Sequence, residues 1–377
     1  MLINLRKQTS FAYSEKIMHR FGINRLESPI LLPAILIVII SLATFYSIDF
    51  NIFRQQLFFL IVSLGAYFIF LNIDYKIFGF YSKYVYFLMI FCLFLLFLIG
   101  IEARGAVRWI DIFGIRIQFS EIIKPFFVIF IASYLTSNDS RSFEKFLKAI
   151  FLILPIFFLI LRQPDFGNAM IYIFISFFMF LYYGFPIRYF VGVGSIVLVL
   201  LPLFFNFLAS YQKQRILIFI NPTSDPLSSS YNIIQSLISI GSGGFIGKGF
   251  GEATQSILKF LPEKHTDFIF ATISENLGFL GGILLIGLYF YLLQRVYKIT
   301  GFVKDEFSSL VLMGLYFLLL VHIFLNIGMN IGIVPIVGVT LPFASYGGSS
   351  LLTNFIILGI ISSIKFDFSK SRSLEIG

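Results

Sequence analysis

The chain has 377 residues, 58% hydrophobic and 12% charged; soluble domains carry roughly 25% charged residues, so a soluble globular fold is excluded. Its net charge is +9, but the Lys and Arg residues lie mostly in short segments between apolar runs. That is the bias that orients membrane spans, not a stripe that tracks nucleic-acid phosphates, and no nucleic-acid partner is expected.

One cysteine, Cys92, excludes a disulfide within the chain, and three scattered histidines, His19, His265 and His322, argue against a histidine-built metal cage. Residues 1–29 are polar and basic and lack the apolar core and small-residue cleavage site of a signal peptide, so the first span is expected to direct insertion. A span needs about 20 apolar residues. The qualifying stretches are 30–48, 55–73, 79–100, 119–136, 147–163, 168–184, 188–209, 267–294, 307–330 and 350–365. The expected fold is an all-α integral membrane protein, a polytopic bundle of about ten transmembrane helices. A cytoplasmic segment 1–29 and a tail 366–377 flank one membrane domain, 30–365. An even number of spans puts both termini on one side. The larger share of the 28 Lys and Arg residues lies with the termini and alternate loops, which places both termini in the cytoplasm. The outer face then receives 101–118, a tight turn at 164–167, a large loop at 210–266 between the seventh and eighth spans, and 331–349.

The first outer loop contains Arg104, Arg108 and Trp109, the only tryptophan. Trp109 reads either as an interfacial belt residue or, beside two arginines, as part of a ligand-facing loop. Glu121 and Lys124, spaced i, i+3 at the start of a span, share one helix face; they form a structural ion pair or present Lys124 to a bound anion. Gln163-Pro-Asp-Phe-Gly167 is a turn, with Arg162 the expected partner of Asp165. Tyr211-Gln-Lys-Gln-Arg215 opens the large loop as a basic stretch or as a phosphate clamp with Lys248. Residues 221–230 suggest turns, Tyr231–Ile240 a short amphipathic helix, and the glycines from Gly241 to Gly251 a sharply bent backbone that re-enters the membrane.

Leu261-Pro-Glu-Lys-His-Thr-Asp-Phe-Ile-Phe270 passes from a polar loop into an apolar helix. A carboxylate at that boundary, Asp267, is costly to keep charged unless it is paired or used, and it suits general-base work. Glu275, within the next span, is ambiguous between pairing and function. Leu341-Pro-Phe-Ala-Ser-Tyr-Gly-Gly-Ser-Ser350 is a break with several hydroxyls, either lining a polar cavity through residues such as Ser345 or capping the last span through Ser349 or Ser350.

Arg104–Lys124, Gln163–Gly167, Tyr211–Pro222, Gly241–Gly249, Leu261–Phe270 and Leu341–Ser350 together resemble, in order, the motifs of the SEDS (shape, elongation, division and sporulation) family, over about residues 100–365. Thr254-Gln-Ser256 with Phe260-Leu-Pro-Glu263, and Asn326-Ile-Gly-Met329 with Pro335-Ile-Val-Gly338, fit the RodA branch; Thr340 fits the FtsW branch better. Phe119, Asn168 and Asn276 depart from the family pattern, and Asn276 leaves a paired-acid role there in doubt.

The resemblance implies a peptidoglycan glycosyltransferase of the bacterial inner membrane that polymerises lipid II. Asp267 falls on the family's essential acid, Trp109 on its tryptophan, and Glu121 and Lys124 on its ion pair. It also implies a class B penicillin-binding protein partner, alongside membrane proteins of the elongation complex. A Mg2+ or Mn2+ ion is a plausible aid to the leaving pyrophosphate, with Arg108, Arg215 and Lys248 as candidate cationic helpers; no organic cofactor is expected. The competing readings are a lipid II flippase, an inactive scaffold, and an FtsW-type septal polymerase.

Overall fold

The computed structural model describes residues 29–103, 106–112, 115–207, 210–220, 230–253, 255 and 260–375. The N-terminal segment 1–28, Arg104, most of the turn expected at 221–230, Thr254 and Ser256 lie outside the described residues.

A helix occupies every stretch that the apolar runs mark. In chain order these are α1 (Leu31–Ile48), α2 (Phe50–Asn72), the short α3 (Lys76–Phe80) and α4 (Ser82–Ile99). The next three, α5 (Phe119–Ile122), α6 (Lys124–Thr136) and α7 (Phe143–Arg162), lead to α8 (Phe166–Tyr183) and α9 (Ile187–Phe207). Then come α10 (Ser210–Ile220), α11 (Tyr231–Ser242), α12 (Ile269–Thr300), α13 (Glu306–Asn330) and α14 (Gly348–Glu375). Among the described residues, seven helices are long and apolar enough to cross a membrane. The chain is a multi-pass membrane protein.

The helices begin where the sequence supplies caps. Asp49, Ser142, Asp165 and Asp305 each accept a backbone N–H at the start of α2, α7, α8 and α13. The α5–α6 break falls at Ile123 because Pro125 has no N–H to give the Glu121 carbonyl. One continuous apolar core joins the helices. Within it α14 runs along α2, and α13 packs against α6, α8 and α12.

Two features differ from expectation. The chain is mostly helical and not all-α: in the segment 101–117, β1 (Ile101–Ala103), β2 (Ala106–Ile112) and β3 (Ile115–Ile117) form an antiparallel sheet in the order β1-β2-β3, with Ile101 opposite Trp109. The opening of the large loop is also ordered, because 210–220 forms α10.

The glycine-rich stretch meets a broken span. Gly278, at φ 67° and ψ −163°, interrupts α12. Its neighbours bond instead to the glycine segment. Lys248 N–H donates to Glu275 O (3.0 Å), Gly249 N–H to Asn276 O (3.0 Å), Phe279 N–H to Gly244 O (2.9 Å) and Leu280 N–H to Phe245 O (3.2 Å). Non-helical backbone within a span is tolerable when protein satisfies it in this way. A Cβ on Gly247, at φ +88°, would stand 2.2 Å from Asn276 O. Gly247→Ala is therefore expected to destabilise the chain by at least the ~1–3 kcal/mol of backbone strain, read as a lowered melting temperature in detergent; an unchanged melting temperature would refute the junction.

Candidate active site

Asp267 is half-buried and lies two residues before α12, outside the helix the sequence assigned it to. Its backbone is clamped. Asn326 Nδ2 and Asn330 Nδ2, both on α13, donate to its carbonyl at 3.0 and 2.9 Å. Leu261, Phe268 and Ala271 are buried beside it, packed by Ile240 of α11 and Ile336.

The 331–347 segment completes the surroundings. Asp267 Oδ2 lies 3.4 Å from where a Cβ would stand on Gly338. Arg215 Nη1, from α10, donates to the adjacent Val337 carbonyl (3.3 Å). Ser345 is buried, and its hydroxyl is used by backbone: it donates to Thr266 O (2.6 Å) and accepts from Leu341 N–H (2.7 Å). Tyr346 N–H donates to His265 O (2.7 Å). Ser345 thus holds the turn leading into Asp267. Ser349 Oγ accepts from Gln118 N–H (2.9 Å), and Ser350 pairs with Thr340 (2.8 Å).

Arg108 reaches the 163–167 turn. Its Nε donates to Gln163 O (3.1 Å), an Nη donates to Pro164 O, and Nη1 lies 3.8 Å from Asp165 Oδ1. Asp165 is therefore paired with Arg108 and not with Arg162, which is exposed. Its Oδ2 also accepts from Gln118 Nε2 and Asn168 Nδ2, both at 2.8 Å. Asn168, a departure from the family pattern, gives this buried carboxylate a partner. Gly167 abuts the Val337 carbonyl, so this turn, Arg215 and Asp267 meet along 337–338. Trp109, next to Arg108 on β2, is half-buried.

Glu121 and Lys124 form the expected pair, 2.7 Å apart and buried. Lys124 Nζ also lies 2.9 Å from His322 Nε2 on α13, and His322 Nδ1 is 3.3 Å from Thr340 O. An ammonium only donates, so Nε2 accepts and Nδ1–H faces the carbonyl. Lys248 pairs with the buried Glu275 (3.4 Å), whose Oε1 also accepts from Gln255 N–H (2.8 Å). This bond locks the glycine segment onto the break in α12. Among the described residues no three His, Cys, Asp or Glu side chains are grouped to hold a metal.

The model of the cell cycle protein family FtsW/RodA/SpoVE matches residues 28–370. The chain belongs to this family. It is 38% identical over 290 residues to peptidoglycan glycosyltransferase MrdB of Escherichia coli (strain K12), covering 75% of this chain and 78% of that one. It is 36% identical over 331 residues to stage V sporulation protein E of Bacillus subtilis (strain 168), covering 85% and 88%. Its structure resembles a chain solved in work on structural coordination of polymerization and crosslinking by a peptidoglycan synthase complex, with TM-score 0.79 and 26% identity over 90% of this chain and 97% of that one.

Within this FtsW/RodA/SpoVE chain, the residues that sequence reasoning missed are His322 and Asn330, with Asn326 seen only as a branch marker. Their signal is a spacing of four along an apolar span, which puts all three on one helix face.

Proposed function

We propose that the chain is a peptidoglycan glycosyltransferase of the RodA type, polymerising lipid II into glycan strands for cell-wall elongation and cell shape. It acts in the bacterial cytoplasmic membrane with both termini in the cytoplasm and about ten spans, seven of them, among the described residues, in helices long and apolar enough to cross a bilayer alone. The carrying observation is a half-buried carboxylate, Asp267, whose backbone is held by two buried amides, beside a segment that Arg215 also grips. Family membership and the name borne by the MrdB relative support the substrate class.

Asp267 is the general base. It takes the proton from the 4-hydroxyl of the acceptor's glucosamine. That oxygen attacks the muramyl C1 of the donor, the C1–oxygen bond to pyrophosphate breaks, and undecaprenyl pyrophosphate leaves with the electron pair. In-line attack inverts the anomeric centre to β.

Arg215 grips the Val337 carbonyl, next to the Gly338 that Asp267 Oδ2 approaches, so it is the first choice to face the leaving phosphates. Arg108 acts by fixing the 163–167 turn, with Trp109 beside it on β2. Lys248 acts through its bond to Glu275, and Ser345 by fixing Thr266. The Glu121–Lys124 pair, bridged by His322, sets the position of Thr340 behind the site. Mg2+ needs only one or two protein carboxylates when a substrate supplies phosphates. Glu263, partly exposed in the turn before Asp267, is a carboxylate that would meet that demand and leave Asp267 free as the base, and the ion would supply positive charge to the leaving group. The likeness to a chain of a peptidoglycan synthase complex supports a class B penicillin-binding protein as transpeptidase partner; membrane proteins of the elongation complex are further partners.

Labelled lipid II incubated with the purified chain and its partner should yield a ladder of glycan strands with β linkages. Absence of any ladder, with divalent metal and partner supplied, would overturn the proposal.

A further inference from the structure

We propose that Asn326 and Asn330 are positioning residues for Asp267, at one end of a polar stripe on α13 that begins at the buried Lys124–Glu121 pair. The proposal rests on Asp267 being the general base. His322, Asn326 and Asn330 recur at every fourth residue in the C-terminal half of α13, among apolar neighbours, and all three are buried. Polar side chains inside a span are costly and call for a use.

Each has its polar groups committed to the segments that form the site. Asn326 Nδ2 spends one N–H on Asp267 O (3.0 Å) and the other on Val339 O (2.7 Å). It thereby ties the turn before α12 to the irregular segment carrying Gly338. Asn330 straddles the turn: Nδ2 donates to Asp267 O (2.9 Å), and Oδ1 accepts from Ala271 N–H (3.1 Å). The Ala271 N–H is one of the first-turn donors that α12 cannot satisfy itself. His322 continues the line to Thr340 O and Lys124 Nζ.

The consequence for chemistry is geometric. Asp267 lies outside α12, so the helix ladder does not fix its peptide plane. The two amides fill both lone pairs of its carbonyl and, with Phe268 N–H donating to Glu263 O (3.2 Å) on the other side, hold the 267–268 peptide plane in one orientation. Without them the carboxylate swings away from the acceptor hydroxyl, and a displacement near 1 Å costs about 100-fold in rate.

The test is lipid II polymerisation by the full-length chain, with kcat, KM and the pH profile of kcat measured beside thermal stability in detergent. Asn326→Ala removes both donors. Asn330→Asp keeps the acceptor for Ala271 but loses the donor to Asp267. Both should lower kcat by about 100-fold at unchanged KM and move the acidic limb of the profile. Asn326→Gln, which keeps the carboxamide, should recover part of the turnover, and Asn330→Asp carries the test if Asn326→Ala prevents assembly. Wild-type kcat in the variants that fold would overturn the proposal. So would a fall in melting temperature with an unmoved pH profile, the mark of a structural role alone. Asp267→Asn is run in parallel: if it is inactive while the asparagine variants are wild-type, only the positioning proposal fails. If it is fully active, the general-base reading fails.

Discussion

Asp267→Asn should leave the chain folded and able to bind lipid II while lowering polymerisation by about 10²–10⁴-fold, the usual cost of losing a general base. Three sets of bonds hold this stretch: Asn326 and Asn330 on the Asp267 carbonyl, Ser345 on the Thr266 carbonyl, and Tyr346 N–H on the His265 carbonyl. All of them use main-chain atoms of 265–267, so an asparagine side chain leaves them in place. The carboxamide has nearly the shape of the carboxylate but cannot take the acceptor proton. Melting temperature and lipid II affinity should stay at wild-type values as turnover falls. An Asn variant with wild-type turnover would remove Asp267 from the mechanism.

Lys124→Met should destabilise the chain by about 3–5 kcal/mol, the cost of leaving one partner of a buried ion pair behind. Lys124 is fully buried and Glu121 nearly so. The ammonium is shared between the Glu121 carboxylate and the His322 ring, so removing it strands a carboxylate and orphans an acceptor nitrogen together. The double change Glu121→Gln with Lys124→Met removes both charges and should regain much of the loss, because residues in one buried network couple strongly. Melting in detergent reads both. Equal melting temperatures for single and double variants would show that the charges are not coupled.

The helices were legible because an apolar run long enough to cross a bilayer has few alternatives, and acids or hydroxyls at their starts marked several boundaries. Asp267 was legible because a charge at the edge of an apolar run stands out. What stayed hidden depends on distant partners. Arg108 and Asp165 are separated by more than fifty residues, and the nearer Arg162 was the natural guess. The three strands at 101–117 are too short, and too mixed with charge, to announce themselves in a loop. Asn326 and Asn330 carry no charge, so their cost inside a span is visible only once the Asp267 carbonyl is seen between them. The break in α12 needs Gly278 and Gly247 to meet, and a glycine within a span reveals neither its φ nor its neighbour. Ser345 stands in a hydroxyl-rich break that the sequence marks, but its hydroxyl faces backbone, a direction that composition cannot give.

A polymerase joins lipid II molecules, whereas a flippase carries them across the membrane. Proteoliposomes holding the full-length chain and its transpeptidase partner, given labelled lipid II on the leaflet facing the Asp267 side, separate the two. The prediction is a ladder of glycan strands formed on that leaflet, lost in Asp267→Asn. Movement of labelled lipid II to the opposite leaflet with no ladder would contradict it.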